Sequence, residues 1–149
     1  MAGSTVKIPT GLKKLDSKVI KAVNTGMDEI TADLLRVATL RSPVDEGTLE
    51  HSGTSKVMHS NSMIKGYVSF SARNKGFNYA LKMDRGNYKL GKKSLAKSGR
   101  GVRSKFGKAV MKVGKGYLTD SAEQCTDGYV QHINQMVGKG VLSSGLRIK

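Results

Sequence analysis

The nitrogen and sulfur ligands that this sequence could offer to a metal ion are spread along the chain as His51, His59, Cys125 and His132. Structural zinc sites present their ligands as closely spaced pairs, such as two cysteines separated by two residues. No such pair occurs here, because even Cys125 and His132 lie about two helical turns apart. The sequence therefore predicts no metal site, a buried Cys125 and solvent-exposed histidines.

The sequence also lacks a recognisable set of catalytic groups. Asp45, Glu46 and Glu50 cluster within one short segment, as acidic residues do in a solvated turn. No Gly-x-Ser-x-Gly elbow is present, and Cys125 lies among apolar residues, where a reactive thiolate is disfavoured. Because no residues support named catalytic roles, the sequence predicts a protein that is not an enzyme.

One run approaches a phosphate-binding loop. Gly86 to Lys93 nearly matches the pattern Gly-x-x-x-x-Gly-Lys-Ser/Thr. Lys93, however, stands where the pattern requires the hydroxyl group that ligates magnesium, and no long apolar strand precedes the run. Such a near-match is expected by chance in a stretch rich in glycine and lysine. The sequence thus predicts no nucleotide and no other cofactor.

The strongest chemical signal is positive charge, +15 for the whole chain. The basic segment, defined as residues 82–115, contains twelve basic residues and one acidic residue and so carries +11, which leaves +4 for the rest. Lysine and arginine side chains that neutralise phosphates give salt-sensitive binding to DNA or RNA without sequence preference. A solvated loop, or one that docks on an acidic neighbouring subunit, is the alternative, and both stay open. The residues predicted to contact DNA or to clasp a neighbour are Lys89, Lys92, Lys93, Lys97, Arg100, Arg103 and Lys105.

A long helix is predicted on the N-terminal side of these features. Apolar residues recur every three or four positions from Leu12 to Val37, which is the spacing of one helix face. Thr10 is a suitable N-cap residue. Pro43 disfavours helical geometry at the residue before it, so we expect the helix to end by Arg41.

Strands are predicted next, because the apolar period changes to two after Ser52. Residues 63–72 alternate apolar and polar side chains, as a half-buried strand does. Residues 54–59 are the expected hairpin partner, and residues 73–76 form a turn. The short run 77–83 fits either a strand or a helix.

A loop, a strand and a second helix are predicted in the C-terminal half. Residues 86–105 lack periodicity and are rich in Gly, Ser and Lys, which predicts a long mobile loop. Residues 106–113 are consistent with a strand, and an apolar stripe over 118–136 predicts an amphipathic helix. Gly138 is a favourable residue after a helix end, so residues 138–149 are expected to form a tail.

Length and element order together predict an α+β fold. A chain of 149 residues is long enough for one domain with a core, and helices segregated from strands indicate this class. We expect the long N-terminal helix and the C-terminal helix to pack on a small antiparallel sheet, with a long basic Gly-rich loop at 86–105. The predicted domain is 1–137, followed by a tail or docking arm over 138–149. The single cysteine excludes an intrachain disulfide, and neither a secretory signal nor a membrane span is predicted.

Two short motifs occur in an informative order. Pro-x-Asp-x-Gly-x-Leu-x-x-Ser follows the N-terminal helix, and Tyr-Ala-x-x-x-acid-x-Gly follows the predicted hairpin. The chain thereby resembles a family of small tailed-bacteriophage neck proteins, variously called tail-completion, head–tail joining or minor capsid proteins. It departs from the family in having Asp at the position of a Glu, and a longer, more basic insertion before the C-terminal helix. The matching residues are Pro43, Asp45, Gly47, Leu49, Ser52, Tyr79, Ala80, Asp84 and Gly86.

The resemblance implies a non-enzymatic subunit of a ring in the virion neck, made in the bacterial host cytoplasm. Six copies are the first expectation and twelve the second. Its implied partners are copies of itself, head-connector or head-closure proteins, tail terminator or tail tube proteins, and genomic DNA held without sequence specificity. The basic loop would line the DNA channel or clasp an adjacent subunit. The alternative is a small basic accessory protein that binds nucleic acid without sequence specificity.

Overall fold

The computed structural model describes residues 2–9, 17–44, 47–60, 63–97, 99 and 101–143. Within these ranges, one long helix lies near each end. One strand precedes the first long helix, and the other described strands lie between the two. The elements are β1 (Ala2–Pro9), α1 (Ser17–Arg41), α2 (Thr48–His51), β2 (Gly53–His59), β3 (Met63–Phe70), β4 (Arg73–Asn74), β5 (Phe77–Asn78), α3 (Tyr79–Arg85), α4 (Lys92–Lys97) and α5 (Thr119–Ser143).

The predicted N-terminal helix is α1. Its apolar stripe is buried along its length, from Val19 through Met27 to Val37. The helix ends at Arg41, as predicted, and the Ser42 hydroxyl group donates to the carbonyl oxygen of Thr39 in the last turn. The predicted N-cap Thr10 and the first predicted turns, up to residue 16, lie outside the described residues.

The sheet has the order β1-β3-β2, and all of its pairs are antiparallel. The predicted hairpin of β2 and β3 is confirmed, and the side chains of Ile64, Val68 and Phe70 are buried. Strand β1 was not predicted. It pairs along its whole length with β3, from Ala2 opposite Phe70 to Pro9 opposite Met63. Because this pairing joins segments about sixty residues apart, local sequence contains little trace of it.

Helix α5 continues past Gly138 to Ser143, so the predicted helix end and the predicted tail over 138–143 are wrong. The reason is tertiary packing: a β-carbon at Gly140 would lie only 2.8 Å from the α-carbon of Val19. Glycine here allows the end of α5 to lie directly on the start of α1, and that contact supports a helix that local propensity disfavours. Residues 144–149 lie outside the described residues.

Two other predictions in the C-terminal half are also corrected. The segment predicted as an irregular loop contains α4, and the segment predicted as a strand over 106–113 forms only one isolated bridge, between Val102 and Met111. The ambiguous run 77–83 divides between β5, the second strand of a short hairpin, and the first part of α3. The basic segment is therefore more ordered than its composition predicts.

The core lies between the helices and the sheet. Helix α1 packs on β2 and β3 with one side and on α5 with another. The two long helices run antiparallel, because Gly26 lies beside Ile133 while Gly140 lies beside Val19. Tyr117 closes the core before α5, with its ring edge-on to Phe70 at 5.1 Å. The α+β prediction is confirmed.

Candidate nucleic-acid interface

The basic segment presents most of its charge to solvent. Ten of its twelve basic side chains are exposed, Lys97 is partly buried, and Arg100 lies outside the described residues. Basic groups on the surface can neutralise phosphate groups that approach them. The exposed set is Lys82, Arg85, Lys89, Lys92, Lys93, Arg103, Lys105, Lys108, Lys112 and Lys115.

Helix α4 fastens the first part of the basic segment to the end of α1. The Lys97 ammonium group donates to the carbonyl oxygens of Thr39 at 2.9 Å and Ser42 at 2.8 Å, and it forms an ion pair with Glu50. Those carbonyl groups belong to the end of a helix, where cations are favoured. Ser94 exchanges two hydrogen bonds with the backbone of Val44. Lys97, predicted to contact DNA or a neighbour, is thus engaged within its own chain.

A buried carboxylate, Asp33 of α1, fastens the next part of the segment. Its oxygens accept hydrogen bonds from Arg36, from the Ser104 hydroxyl group, from the Lys105 amide at 3.2 Å and from the Tyr129 hydroxyl group at 2.9 Å. Burial alone would raise the pKa of Asp33, but these hydrogen bonds outweigh it and the pKa is lowered. The charged carboxylate therefore joins α1, α5 and the basic segment.

Arg41, at the end of α1, holds the last part of the segment. Its guanidinium group donates to the carbonyl oxygens of Lys112 at 2.8 Å and Gly116 at 3.0 Å, and to the hydroxyl group of Ser121 at 2.7 Å. Burial lowers the pKa of Arg41, and the charge of Asp120 opposes that shift. The fork of donors on a guanidinium group suits it to bridge three chain segments in this way.

The turn at Phe106 lies directly on α5. The Phe106 ring stacks on the His132 ring with centroids 4.2 Å apart, and it meets the Tyr129 ring edge-on. A β-carbon at Gly128 would fall 2.1 Å from the Phe106 carbonyl oxygen, so glycine permits this approach. His132 is also paired with Glu29 of α1. The prediction of a solvent-exposed histidine is wrong for His132, whose side chain is 14% exposed.

Residues of the first motif shape the turn between α1 and β2. Pro43 and Leu49 are buried, and Gly47 adopts a left-handed conformation with φ of 82° just before α2. The Ser52 hydroxyl group donates to the Leu49 carbonyl oxygen and accepts from the Ser71 amide, which ties the turn to the end of β3. Asp45 lies outside the described residues.

Residues of the second motif position helix α5. The Asp84 carboxylate is buried, and one of its oxygens accepts from the amide groups of Leu118 and Thr119 at 3.0 and 3.1 Å. These are orphan donors at the start of α5, so Asp84 acts as a cap from a distant segment. The Ala80 carbonyl oxygen accepts from the Tyr117 hydroxyl group. At Gly86 a β-carbon would lie 2.6 Å from the backbone oxygen of the preceding turn. Tyr79 is the first residue of α3.

The candidate metal ligands stay apart within the part of the chain that the structure describes. No group of three or more His, Cys, Asp or Glu side chains there is arranged to hold an ion. Cys125 is buried, as predicted, and burial raises the pKa of its thiol group. His51 and His59 are exposed, and the His51 ring is hydrogen-bonded to the Gly47 carbonyl oxygen.

The anchoring residues Asp33 and Arg41 were not singled out in the sequence. A signal for Asp33 was available, because it lies three residues after Ile30 and four before Val37, on the apolar face of the predicted helix. A charged residue on a buried face requires a partner. The identity of that partner is set only by the fold.

Comparison with known proteins gives no relative, since the chain matches no family model, no curated protein and no solved structure. The helices in the described ranges contain no stretch long and apolar enough to cross a membrane.

Proposed function

We propose that this chain is a structural subunit of the neck of a tailed bacteriophage. It repeats around an axis as a ring, joins the DNA-filled head or its connector to the tail, and encloses the channel through which the genome passes. The observation that carries this proposal is the use of the motif residues: those described serve turns, caps and core packing. A motif that maintains a fold is what a scaffold subunit needs.

The position of the motif residues supports the same view. Gly47 and Ser52 fix how the chain leaves α1 and enters the sheet, while Asp84 fixes where α5 begins. Both motifs therefore set the relative placement of the two long helices and the sheet. Ring subunits repeat one contact around an axis, so they depend on a reproducible surface rather than on a reactive group.

The charge of the basic segment supports a DNA channel. The segment contains ten exposed basic side chains. Hydrogen bonds of Lys97, Asp33 and Arg41 attach it to the helices. An anchored cationic surface attracts phosphate groups without reading base sequence. We propose six copies, or else twelve, located in the virion neck, with connector or head-closure proteins on one side and tail terminator or tail tube proteins on the other.

A second candidate is a small basic accessory protein that binds nucleic acid without assembling into a virion. The same exposed cations favour it, because charge of this density suffices for non-specific binding. The two candidates differ in assembly. A neck subunit forms rings or joins partner rings, whereas an accessory protein stays a monomer or dimer and binds DNA with a steep dependence on salt.

The decisive experiment is deletion of the gene from the phage or prophage that carries it, with the lysate examined by electron microscopy. Separate DNA-filled heads and complete tails support the joining function. Heads that have lost their DNA indicate that the basic segment retains the genome. Intact infectious virions overturn the neck proposal and leave the accessory protein.

A matched experiment uses the purified chain. Native mass spectrometry and negative-stain microscopy measure ring formation by the wild type and by Lys89→Glu/Lys92→Glu, a charge reversal at two exposed positions. If the variant still forms rings, these two lysines do not lie in the contacts between subunits. Rings that are lost indicate a clasp on a neighbouring copy.

A further inference from the structure

A groove on α5 lies beside the turn that contains Phe106. It is lined by Lys105 and Lys108 on one side and by Gln131 and Gln135 on the other. Its volume is about 350 Å³, which is within the range of small-ligand clefts. The two glutamines are four residues apart, so they project from the same face of the helix. No carboxylate lines this groove.

The turn that carries the two lysines is held firmly. The Lys105 amide donates to Asp33, and the Phe106 amide donates to the Ser104 hydroxyl group. The Phe106 ring lies against His132, and its carbonyl group lies against α5 at Gly128. Because the backbone is already fixed, a ligand of the lysines orders only side chains, which lowers the entropic cost of binding.

Charged side chains also lie on the elements that flank the groove. Asp33 is occupied by four hydrogen-bond donors, and Glu29 pairs with His132. Both carboxylates line an adjoining pocket, which shares Lys105, Phe106 and His132 with the groove. Asp127 is exposed one helical turn before Gln131 and would repel an anion at that end. Lys139 is exposed one helical turn after Gln135 and would attract an anion at the opposite end of the groove.

We propose that this groove binds the phosphodiester backbone of a nucleic acid. The ammonium groups of Lys105 and Lys108 neutralise phosphate charge, and the side-chain amides of Gln131 and Gln135 donate hydrogen bonds to phosphate oxygens. Such contacts fix the strand without reading its sequence. The Phe106 ring is already covered by two aromatic neighbours, so it does not serve as a stacking platform for bases. This inference rests on the proposed function, because it specifies where the subunit contacts DNA.

The test compares two variants of equal charge change. Lys105→Ala/Lys108→Ala empties the groove of its cations, and Lys21→Ala/Lys56→Ala removes two exposed lysines from α1 and β2. Fluorescence anisotropy measures binding to a labelled DNA duplex and to a labelled single strand of the same length over a series of salt concentrations. We expect the groove variant to lose roughly tenfold in affinity and the salt slope of log K to fall by about 2, with a change below about twofold in the control.

A second variant changes the groove without touching its lysines. Gln131→Glu/Gln135→Glu places two carboxylates at the amide positions, and we expect a loss of at least the same size. Asp127→Asn removes the neighbouring repulsion and is expected to strengthen binding. Circular dichroism and thermal unfolding of each variant confirm that it remains folded.

The outcomes separate this inference from the proposed function. Equal losses in the lysine variant and its control, or unchanged binding by the glutamate variant, overturn the groove and leave a diffuse electrostatic surface. Absence of DNA binding by the wild type also overturns it, whereas ring formation and the deletion phenotype decide the neck function independently. Preference for the duplex or for the single strand identifies which nucleic acid provides the backbone.

Discussion

The Tyr129 hydroxyl group donates a 2.9 Å hydrogen bond to Asp33, so the middle of α5 is joined to the middle of α1 by a buried polar contact. Burial raises the pKa of Tyr129, which keeps the phenol protonated as a donor. The same carboxylate accepts from Ser104 and from the Lys105 amide. One side chain therefore determines both the pairing of the helices and the placement of the groove turn.

Asp33 makes the stability depend on pH. Its pKa is lowered in the folded chain, so its contribution is present above the unfolded value of about 3.9 and is lost as the pH falls through the folded value. We expect Asp33→Asn to lower the free energy of unfolding at pH 7 by about 2 to 3 kcal/mol. Below pH 4, the free energy of unfolding should fall less steeply with decreasing pH in this variant than in the wild type. Urea titrations at several pH values measure both, with Asp28→Asn, an exposed carboxylate of the same helix, as the control. If the free energy of unfolding falls equally steeply in the wild type and the variant at low pH, the Asp33 carboxylate does not make the stability depend on pH.

Two glycines near the end of α5 should respond in opposite directions to alanine. At Gly138 a β-carbon meets nothing within 4 Å, so Gly138→Ala is expected to stabilise the chain by about 0.5 to 1 kcal/mol through helix propensity. At Gly140 it meets the Val19 α-carbon at 2.8 Å and the Ala22 β-carbon at 3.0 Å. Overpacking there outweighs propensity, and Gly140→Ala should cost about 1 to 2 kcal/mol. Thermal unfolding of the pair provides the measurement; stabilisation by both would mean that α5 does not pack on α1 at this point.

Asp84 should be replaceable by asparagine more readily than by alanine. Its oxygen caps the amide groups of Leu118 and Thr119, and an asparagine carbonyl oxygen can still accept from them. We expect Asp84→Ala to lower the free energy of unfolding by about 1 to 3 kcal/mol and Asp84→Asn to lower it less. Hydrogen exchange of the first turn of α5 locates the effect. Equal exchange in both variants and the wild type would show that the cap does not stabilise the helix start.

Lys97 should contribute to stability, unlike the exposed lysines of the same segment. Its ammonium group joins the end of α1 to Glu50, so Lys97→Ala leaves two carbonyl groups and a carboxylate without this partner. The expected loss is about 1 to 2 kcal/mol. Lys92→Ala, a substitution at an exposed position of the same helix, should change the free energy of unfolding by less than about 0.5 kcal/mol. If Lys92→Ala lowers the free energy of unfolding more than Lys97→Ala does, Lys97 is not the lysine of α4 that stabilises the fold.

Local sequence rules predicted the elements whose signals are local. The apolar stripe of α1, its end before Pro43 and the alternation of β3 all appear as expected, because period and proline geometry act within a few residues. The same rules identified the basic segment as the site of concentrated charge. They also indicated that Cys125 is buried, because it lies on an apolar helix face.

Tertiary structure decided the rest, because the deciding contacts join residues far apart in the chain. Strand β1 exists through pairing with β3, and α5 passes Gly138 because its end packs on α1. The described parts of the basic segment are attached to the helices because Lys97, Asp33 and Arg41 each form hydrogen bonds between positions that are distant in the sequence. Sequence thus determined the amount and location of charge, whereas long-range hydrogen bonds determined which cations are engaged within the chain and which face solvent.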